Sequence, residues 1–115
     1  MIEVEPEFIN LTLDREDKKE IAIRIRNIDR DYLFGAVEFS TGFDSMFLSE
    51  ASFGVDPKLN QETAIILHID ASKMTPGQNY NTSVEIASNA ENGEISIPVT
   101  VRVYRNPLKL LLHCG

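Results

Sequence analysis

Four oxygen-bearing side chains have the spacing of positions one, three, five and twelve of a calcium-binding loop: Asn27, Asp29, Asp31 and Glu38. Such a loop needs glycine at its sixth position for a sharp turn, and this chain has Tyr32 there. Asn and Asp also favour turns without any metal. We therefore expect an Asx-rich connection between two strands, and no metal site.

Residues that could support catalysis are few and do not form a known motif. The chain has two histidines, His68 and His113, and one cysteine, Cys114. His68 alternates with Leu67 and Ile69, which predicts that it lies on the solvent face of a strand. No nucleophile elbow, phosphate-binding loop or dinucleotide fingerprint occurs in the sequence. We expect no enzyme activity, no catalytic residues and no cofactor.

An aromatic-rich segment between residues 40 and 55 supplies the candidate binding residues, which are Phe43, Met46, Phe47 and Phe53. One interpretation is a short strand with a loop that covers the core, because aromatic side chains dominate cores. The other is a recognition patch, because aromatic residues on loops are favoured at interfaces. We take these four residues as the predicted site for a protein partner.

Alternation of apolar and polar residues dominates the chain and is typical of half-buried strands. The alternating or apolar segments are residues 8–13, 21–25, 33–39, 46–48, 64–69, 80–86 and 95–103. The only segment that could be helical, residues 14–20, is polar throughout and has no face to bury. This pattern predicts an all-β domain of about seven strands in two sheets.

Turn signals fall between these segments. Thr75-Pro76-Gly77 predicts a type II turn with a positive φ at the glycine. Asn92-Gly93 predicts a two-residue hairpin. Pro98 lies within the last strand and cannot donate a hydrogen bond there, which predicts a sheet edge or a bulge at that point.

Composition limits the class of partner. The chain has 115 residues, with 18 acidic and 11 basic side chains and a formal net charge of −7. A nucleic-acid or anionic-membrane surface needs excess Lys and Arg, so we expect neither partner. No apolar run is long enough to insert into a bilayer. One cysteine excludes an internal disulfide but leaves the compartment open.

The two ends of the chain show a similar pattern. Pro6 is followed by apolar residues three, five and seven positions later, and Pro107 is followed by residues at the same offsets, ending in Cys114. We predict one domain over residues 1–103 and a tail over 104–115. The tail is either a linker or the first strand of a following domain, and tail-mediated association is one consequence to test.

Several segments resemble bacterial immunoglobulin-like domains of the BACON and PapD-like kind. They are residues 73–80 (KMTPGQNY), 84–89 (VEIASN) and 97–101 (IPVTV), with upstream matches at 21–27 and 33–40. The resemblance spans residues 6–103 and implies an antiparallel immunoglobulin-like β-sandwich. It also implies that Tyr80 acts as a tyrosine corner, whose hydroxyl bonds to nearby backbone. The chain departs from the pattern because it has no Trp.

The resemblance implies a non-catalytic module of a larger, bacterial, multidomain protein. Such a module acts as a spacer or binds a protein partner or the neighbouring domains of its own chain. The alternative is a carbohydrate-binding accessory domain. Fold-level analogy alone does not decide between them.

Overall fold

The computed structural model describes residues 2–28, 31–58 and 61–104. These residues form nine strands and one short 3₁₀ helix (Ala71–Lys73). The strands are β1 (Ile2–Glu5), β2 (Ile9–Leu13), β3 (Lys18–Asn27), β4 (Leu33–Phe39), β5 (Met46–Leu48), β6 (Ser52–Val55), β7 (Glu62–Asp70), β8 (Asn79–Ser88) and β9 (Glu94–Val103). The first sheet has the order β1-β3-β7-β5, and the second has the order β2-β9-β8-β4-β6. The chain is an all-β, immunoglobulin-like sandwich.

Two strands were not predicted from the sequence, and one strand pair is parallel. The additional strands, β1 and β6, have four residues each, too few to show a clear alternation. β1 pairs antiparallel with β3 in the first sheet. The chain then crosses to the second sheet, where β2 pairs in parallel with β9. The N-terminal segment therefore contributes a strand to each sheet. The prediction of only antiparallel strands is wrong for the pair β2 and β9.

The core lies between the two sheets and is built from the inward positions of the alternating strands. Six inward positions of the predicted alternating segments are all buried: Ile23, Val37, Leu67, Val84, Ile97 and Val99. Each sheet contributes to this set, with β3 and β7 on one side and β4, β8 and β9 on the other. The faces that the alternation of apolar and polar residues predicts to be buried are therefore confirmed.

The turn before β8 has the predicted geometry. Gly77 has a φ of 85°, and the backbone N–H of Gln78 donates to the carbonyl of Thr75 at 3.3 Å. The hydroxyl of Tyr80 accepts a hydrogen bond from the backbone N–H of Thr75 at 2.6 Å. Tyr80 thus ties the start of β8 to the turn, as the resemblance implied.

The connection between β8 and β9 differs from the predicted two-residue hairpin. It spans residues 89–93, and Gly93 does not have a positive φ. Asn92 instead binds the N-terminal strand, because its side-chain oxygen accepts from the Ile2 N–H at 2.9 Å and its amide donates to the Ile2 carbonyl at 3.0 Å. Glycine is required at position 93 because a Cβ would collide with the carbonyl of Ser88.

Pro98 lies at a local sheet edge, as predicted, although β9 is an interior strand. The register partner of Pro98 is Ser83. The backbone of Ser83 bonds to Ser40 on the other side, because its carbonyl accepts from the Ser40 N–H at 2.9 Å and its N–H donates to the Ser40 hydroxyl at 3.1 Å. The Pro98 nitrogen therefore faces away from β8. The pairing of β9 with β2 begins only at Val99, so the missing N–H has no ladder to interrupt.

A short turn closes the far end of β7. The carboxylate of Asp70 accepts hydrogen bonds from the Ser72 hydroxyl at 2.6 Å and from the Ser72 backbone N–H at 3.1 Å. The hydroxyl bond is the largest cause of a lowered pKa at Asp70. This ionised form caps the 3₁₀ helix.

Two predictions lie on residues outside those described. Asp29 of the calcium-like pattern is one, and all of the tail beyond Tyr104 is the other. At the first residue of the predicted tail, the Tyr104 N–H donates a hydrogen bond to the Leu13 carbonyl at 2.9 Å. Within the described ranges, no helix has the length and apolar character needed to cross a membrane.

Candidate functional site

The four predicted binding residues do not form one patch. Met46 and Phe53 are buried in the core and belong to different sheets, since Met46 is in β5 and Phe53 is in β6. Phe43 is half-buried and packs edge-on against Tyr80, with ring centroids 5.3 Å apart. Only Phe47 is exposed, with 57% of its surface accessible. Three of the four therefore serve the core, because β5 and β6 turn Met46 and Phe53 inward and the loop before β5 places Phe43 against the core.

Phe47 lies on the outer face of the first sheet, next to His68. The two rings are stacked, with centroids 4.4 Å apart and an interplanar angle of 9°. Nδ1 of His68 is 3.4 Å from a carboxylate oxygen of Glu20, its register partner on β3. His68 occupies the predicted outward position, but the Phe47 ring covers it, so His68 is half-buried rather than open to solvent.

The calcium-like residues have other roles in the fold. Asn27 is buried, and its side-chain amide donates to the carbonyls of Asp31 at 2.8 Å and Val55 at 3.4 Å. Glu38 lies on the outer face of the second sheet, on β4. Among the described residues, no group of three or more His, Cys, Asp or Glu could hold a metal ion. Asn27 thus acts by joining β3 to the following loop and to β6.

A shallow apolar hollow on the outer face of the second sheet was not predicted from the sequence. We call it the Phe34 hollow. Its residues include Phe34, Ala36, Ser52, Ala87 and Asn89, from β4, β6, β8 and the start of the next loop. Ala36 pairs directly with Ala87 on one side and with Ser52 on the other. Three small side chains in one row therefore form the floor of the hollow, and they project much less from the sheet than the Phe34 ring beside them.

The Phe34 ring forms one wall of the Phe34 hollow, and the Tyr32 ring lies beside it, outside the hollow. Tyr32 and Phe34 are 52% and 55% exposed, and their ring centroids are 6.2 Å apart. The Tyr32 hydroxyl lies over Gly54, where a Cβ would collide with it. Asn89 holds the β4 end of this wall, because its amide donates to the Tyr32 carbonyl and its side-chain oxygen accepts from the Phe34 N–H, both at 3.0 Å. The rings are therefore exposed but attached to a fixed backbone.

Three glutamates border the hollow on its other side, and we call them the acidic flank: Glu38, Glu85 and Glu94. Glu38 pairs directly with Glu85, and Glu94 pairs with Ala87. One carboxylate oxygen of Glu85 accepts hydrogen bonds from the hydroxyls of Ser83 at 2.6 Å and Ser96 at 3.1 Å. The carboxylate of Glu85 is thus oriented by its neighbours.

The alternation of apolar and polar residues in β4 predicts part of this surface. Because Leu33 and Val37 point inward, Phe34, Ala36 and Glu38 must point outward together. The partners of these residues on β8 depend on register, which a single sequence does not reveal.

Comparison with known proteins identifies the fold. No protein-family model matches the sequence, and no curated protein matches it. Among solved structures, the ASH/PapD-like domain 7 of human CEP192 is similar, with a TM-score of 0.66 and 7% identity over 90% of this chain and 83% of that one. WR4, a member of the MSP family of Caenorhabditis elegans, has a TM-score of 0.63 and 16% identity over 88% and 97% of the two chains.

A bacterial structure is also similar. The CsuC–CsuE chaperone–adhesion subunit complex of Acinetobacter baumannii matches with a TM-score of 0.68 and 8% identity, over 90% of this chain and 52% of that chain. Identities this low show the fold alone. The matched proteins come from human, nematode and bacterial sources, so a bacterial origin and a BACON-like assignment stay predictions. The two-sheet sandwich of the described residues and these neighbours together show that this chain has an immunoglobulin-like fold, similar to that of PapD-like domains.

Proposed function

We propose that this chain is a non-catalytic module of a larger protein and that it binds a protein partner at the Phe34 hollow. The partner is a separate protein or a neighbouring domain of the same chain. The observation that supports this proposal is the exposed Phe34 ring beside a floor of small side chains, with the exposed Tyr32 ring next to it. Exposed apolar surface that is held in place by the backbone is typical of a binding site.

Strand length, the contacts of the rings and the adjacent floor of small side chains favour this site over the segment predicted from the sequence. Phe47 stands on a strand of three residues and is already stacked on His68. Phe34 lies on a seven-residue strand next to a low floor that can receive a side chain. Aromatic residues in such settings are enriched among the residues that dominate binding energy.

A test needs peptides, because the partner is not identified. A phage-displayed library of random linear peptides is selected on the full chain, and recovered peptides are measured by fluorescence polarisation. We expect Phe34→Ser to weaken binding about tenfold or more, since it removes the ring that forms the wall of the hollow. Phe8→Ser is the matched control, because Phe8 is similarly exposed but lies beside β2, at the opposite edge of the sheet.

Failure takes two forms. If no peptide binds above background, or if the recovered peptides bind Phe34→Ser as well as the wild type, the hollow is not a protein-binding site. Far-UV circular dichroism and a melting curve confirm that each variant is folded.

Carbohydrate binding is the second candidate function, and the same two rings favour it. Tyr32 and Phe34 are exposed on one surface, as a sugar-stacking platform requires. A glycan array on the wild type, with Tyr32→Ala and Phe34→Ala beside it, separates the two functions. A glycan signal lost in both variants, with no peptide recovered, would replace the protein-binding proposal.

A further inference from the structure

We infer that the partner is a linear, extended protein segment that carries an apolar side chain and a Lys or Arg two positions away. The apolar side chain enters the Phe34 hollow and the cation meets the acidic flank. This inference rests on the proposed function and adds the chemical character of the partner.

The hollow and the flank form one continuous surface. Both are bordered by Ala36 and Ala87, which pair directly across β4 and β8. On one side of these alanines stands the Phe34 ring, and on the other stand the carboxylates of the acidic flank. A ligand that covers the alanines therefore contacts an apolar wall and a negatively charged wall together.

The acidic flank has no cation of its own within the described ranges. No salt bridge reaches Glu38, Glu85 or Glu94 from a described Lys or Arg. Glu38 and Glu85 are direct register partners, and like charges in that arrangement destabilise a sheet. A cation supplied from outside would remove this repulsion.

A side-chain cation fits the flank better than a metal ion. The three carboxylates are not grouped closely enough to form a metal site among the described residues. The two hydroxyls that bond to Glu85 also hold its carboxylate in a fixed orientation. Spread carboxylates beside an apolar floor suit the long, partly apolar side chains of Lys and Arg.

The geometry of a β-strand determines the spacing between the apolar residue and the cation in the partner. A strand advances about 3.3 Å per residue, so successive outward residues on β4 are about 7 Å apart. Phe34, Ala36 and Glu38 are three such positions in succession. An extended segment that runs along β4 places its own residues i and i+2 at the same interval, one over the hollow and one over the flank.

The test uses three synthetic peptides of one length. The first has Leu and Lys two positions apart, the second has Glu in place of Lys, and the third has Leu and Lys on adjacent positions. We expect the first peptide to bind about tenfold more tightly than either of the others. We also expect its affinity to fall as salt is raised, because the charged contact is exposed.

Charge variants locate the contact. The triple variant Glu38→Gln, Glu85→Gln and Glu94→Gln keeps side-chain size and should weaken the first peptide about tenfold. The control, Glu3→Gln with Glu5→Gln and Glu7→Gln, changes the net charge equally at exposed positions near β1 and should leave binding unchanged. Single Gln variants replace the triple variant if it does not fold.

The outcomes separate the inference from the proposed function. Peptides that need Phe34 but bind the triple Gln variant normally would overturn the inference and leave the proposed function standing. Equal binding of the Lys and Glu peptides, or no binding of the first peptide, would also overturn the inference. Loss of the Phe34 dependence itself would overturn the proposed function.

Discussion

Replacement of Asn27 by Asp tests how the fold uses the most deeply buried polar side chain of β3. Asn27 has 3% of its surface exposed, and its amide donates to the carbonyls of Asp31 and Val55. Aspartate has the same shape but no amide hydrogens. The variant would place a carboxylate against the carbonyl oxygen that the amide now contacts at 2.8 Å.

The expected cost follows from two contributions. Loss of a hydrogen bond that leaves a buried carbonyl unsatisfied costs about 1–3 kcal/mol. An uncompensated buried charge costs more, about 3–5 kcal/mol in all. We therefore expect Asn27→Ala to lower the free energy of unfolding by about 1–3 kcal/mol, and Asn27→Asp to lower it further at neutral pH.

Urea unfolding at several pH values distinguishes these contributions. Burial raises the pKa of the new carboxyl in the folded state above its unfolded value of about 3.9. The charge penalty is then full above the folded pKa and declines as the pH falls through it, because the carboxyl binds a proton. The difference between Asn27→Asp and Asn27→Ala should therefore shrink at acid pH.

Two results would refute this account. If Asn27→Asp is as stable as the wild type at neutral pH, the amide does not act as a buried donor. If added calcium raises the melting temperature of the wild type as well as that of Asn27→Asp, the native loop binds a cation and the expectation of no metal site is wrong.

Three other predictions follow from described contacts. Leu67→Ala should lower the free energy of unfolding by about 2–5 kcal/mol in urea, because Leu67 is fully buried between the sheets. Glu85→Gln should raise it by about 0.2–1 kcal/mol, because the repulsion with Glu38 disappears; a clear loss of stability would show that the hydrogen bonds from Ser83 and Ser96 to the carboxylate outweigh this repulsion. Ser72→Ala should raise the pKa of Asp70 toward its ordinary value in an NMR titration, and an unchanged value would exclude the hydroxyl as the main cause.

The fold could be predicted because the alternation of each long strand fixes which face is buried. Ile23 and Val99 lie in segments of strict alternation, and both are buried as expected. The turn at Gly77 could be predicted because its φ depends on adjacent residues only. The hairpin at Asn92-Gly93 could not, because Asn92 is recruited by Ile2, which is distant in sequence.

The candidate site could be predicted only in part. Phe47 was expected at a surface and is there, but Met46 precedes it and so points into the core. Phe53 looked equally available in the sequence, yet its strand, β6, was not recognised and turns it inward. The Phe34 hollow depends on the alignment of β4 with β8 and β6, and cross-strand partners require the register of the folded sheet.

The two outer faces of the sandwich differ in how their charged side chains are paired, and the stability of the fold does not explain this difference. On the first sheet, opposite charges are register partners, since Glu3 pairs with Arg26 and Lys18 with Asp70. On the second sheet, Glu38 pairs with Glu85 and no described cation reaches either one. Both faces are equally free to use Lys or Arg, so folding does not require the repulsive pair. On this second face, only a cation from outside could neutralise the paired carboxylates, and only a side chain from outside could cover the exposed rings. These features are better explained by binding of a partner than by the stability of the isolated domain.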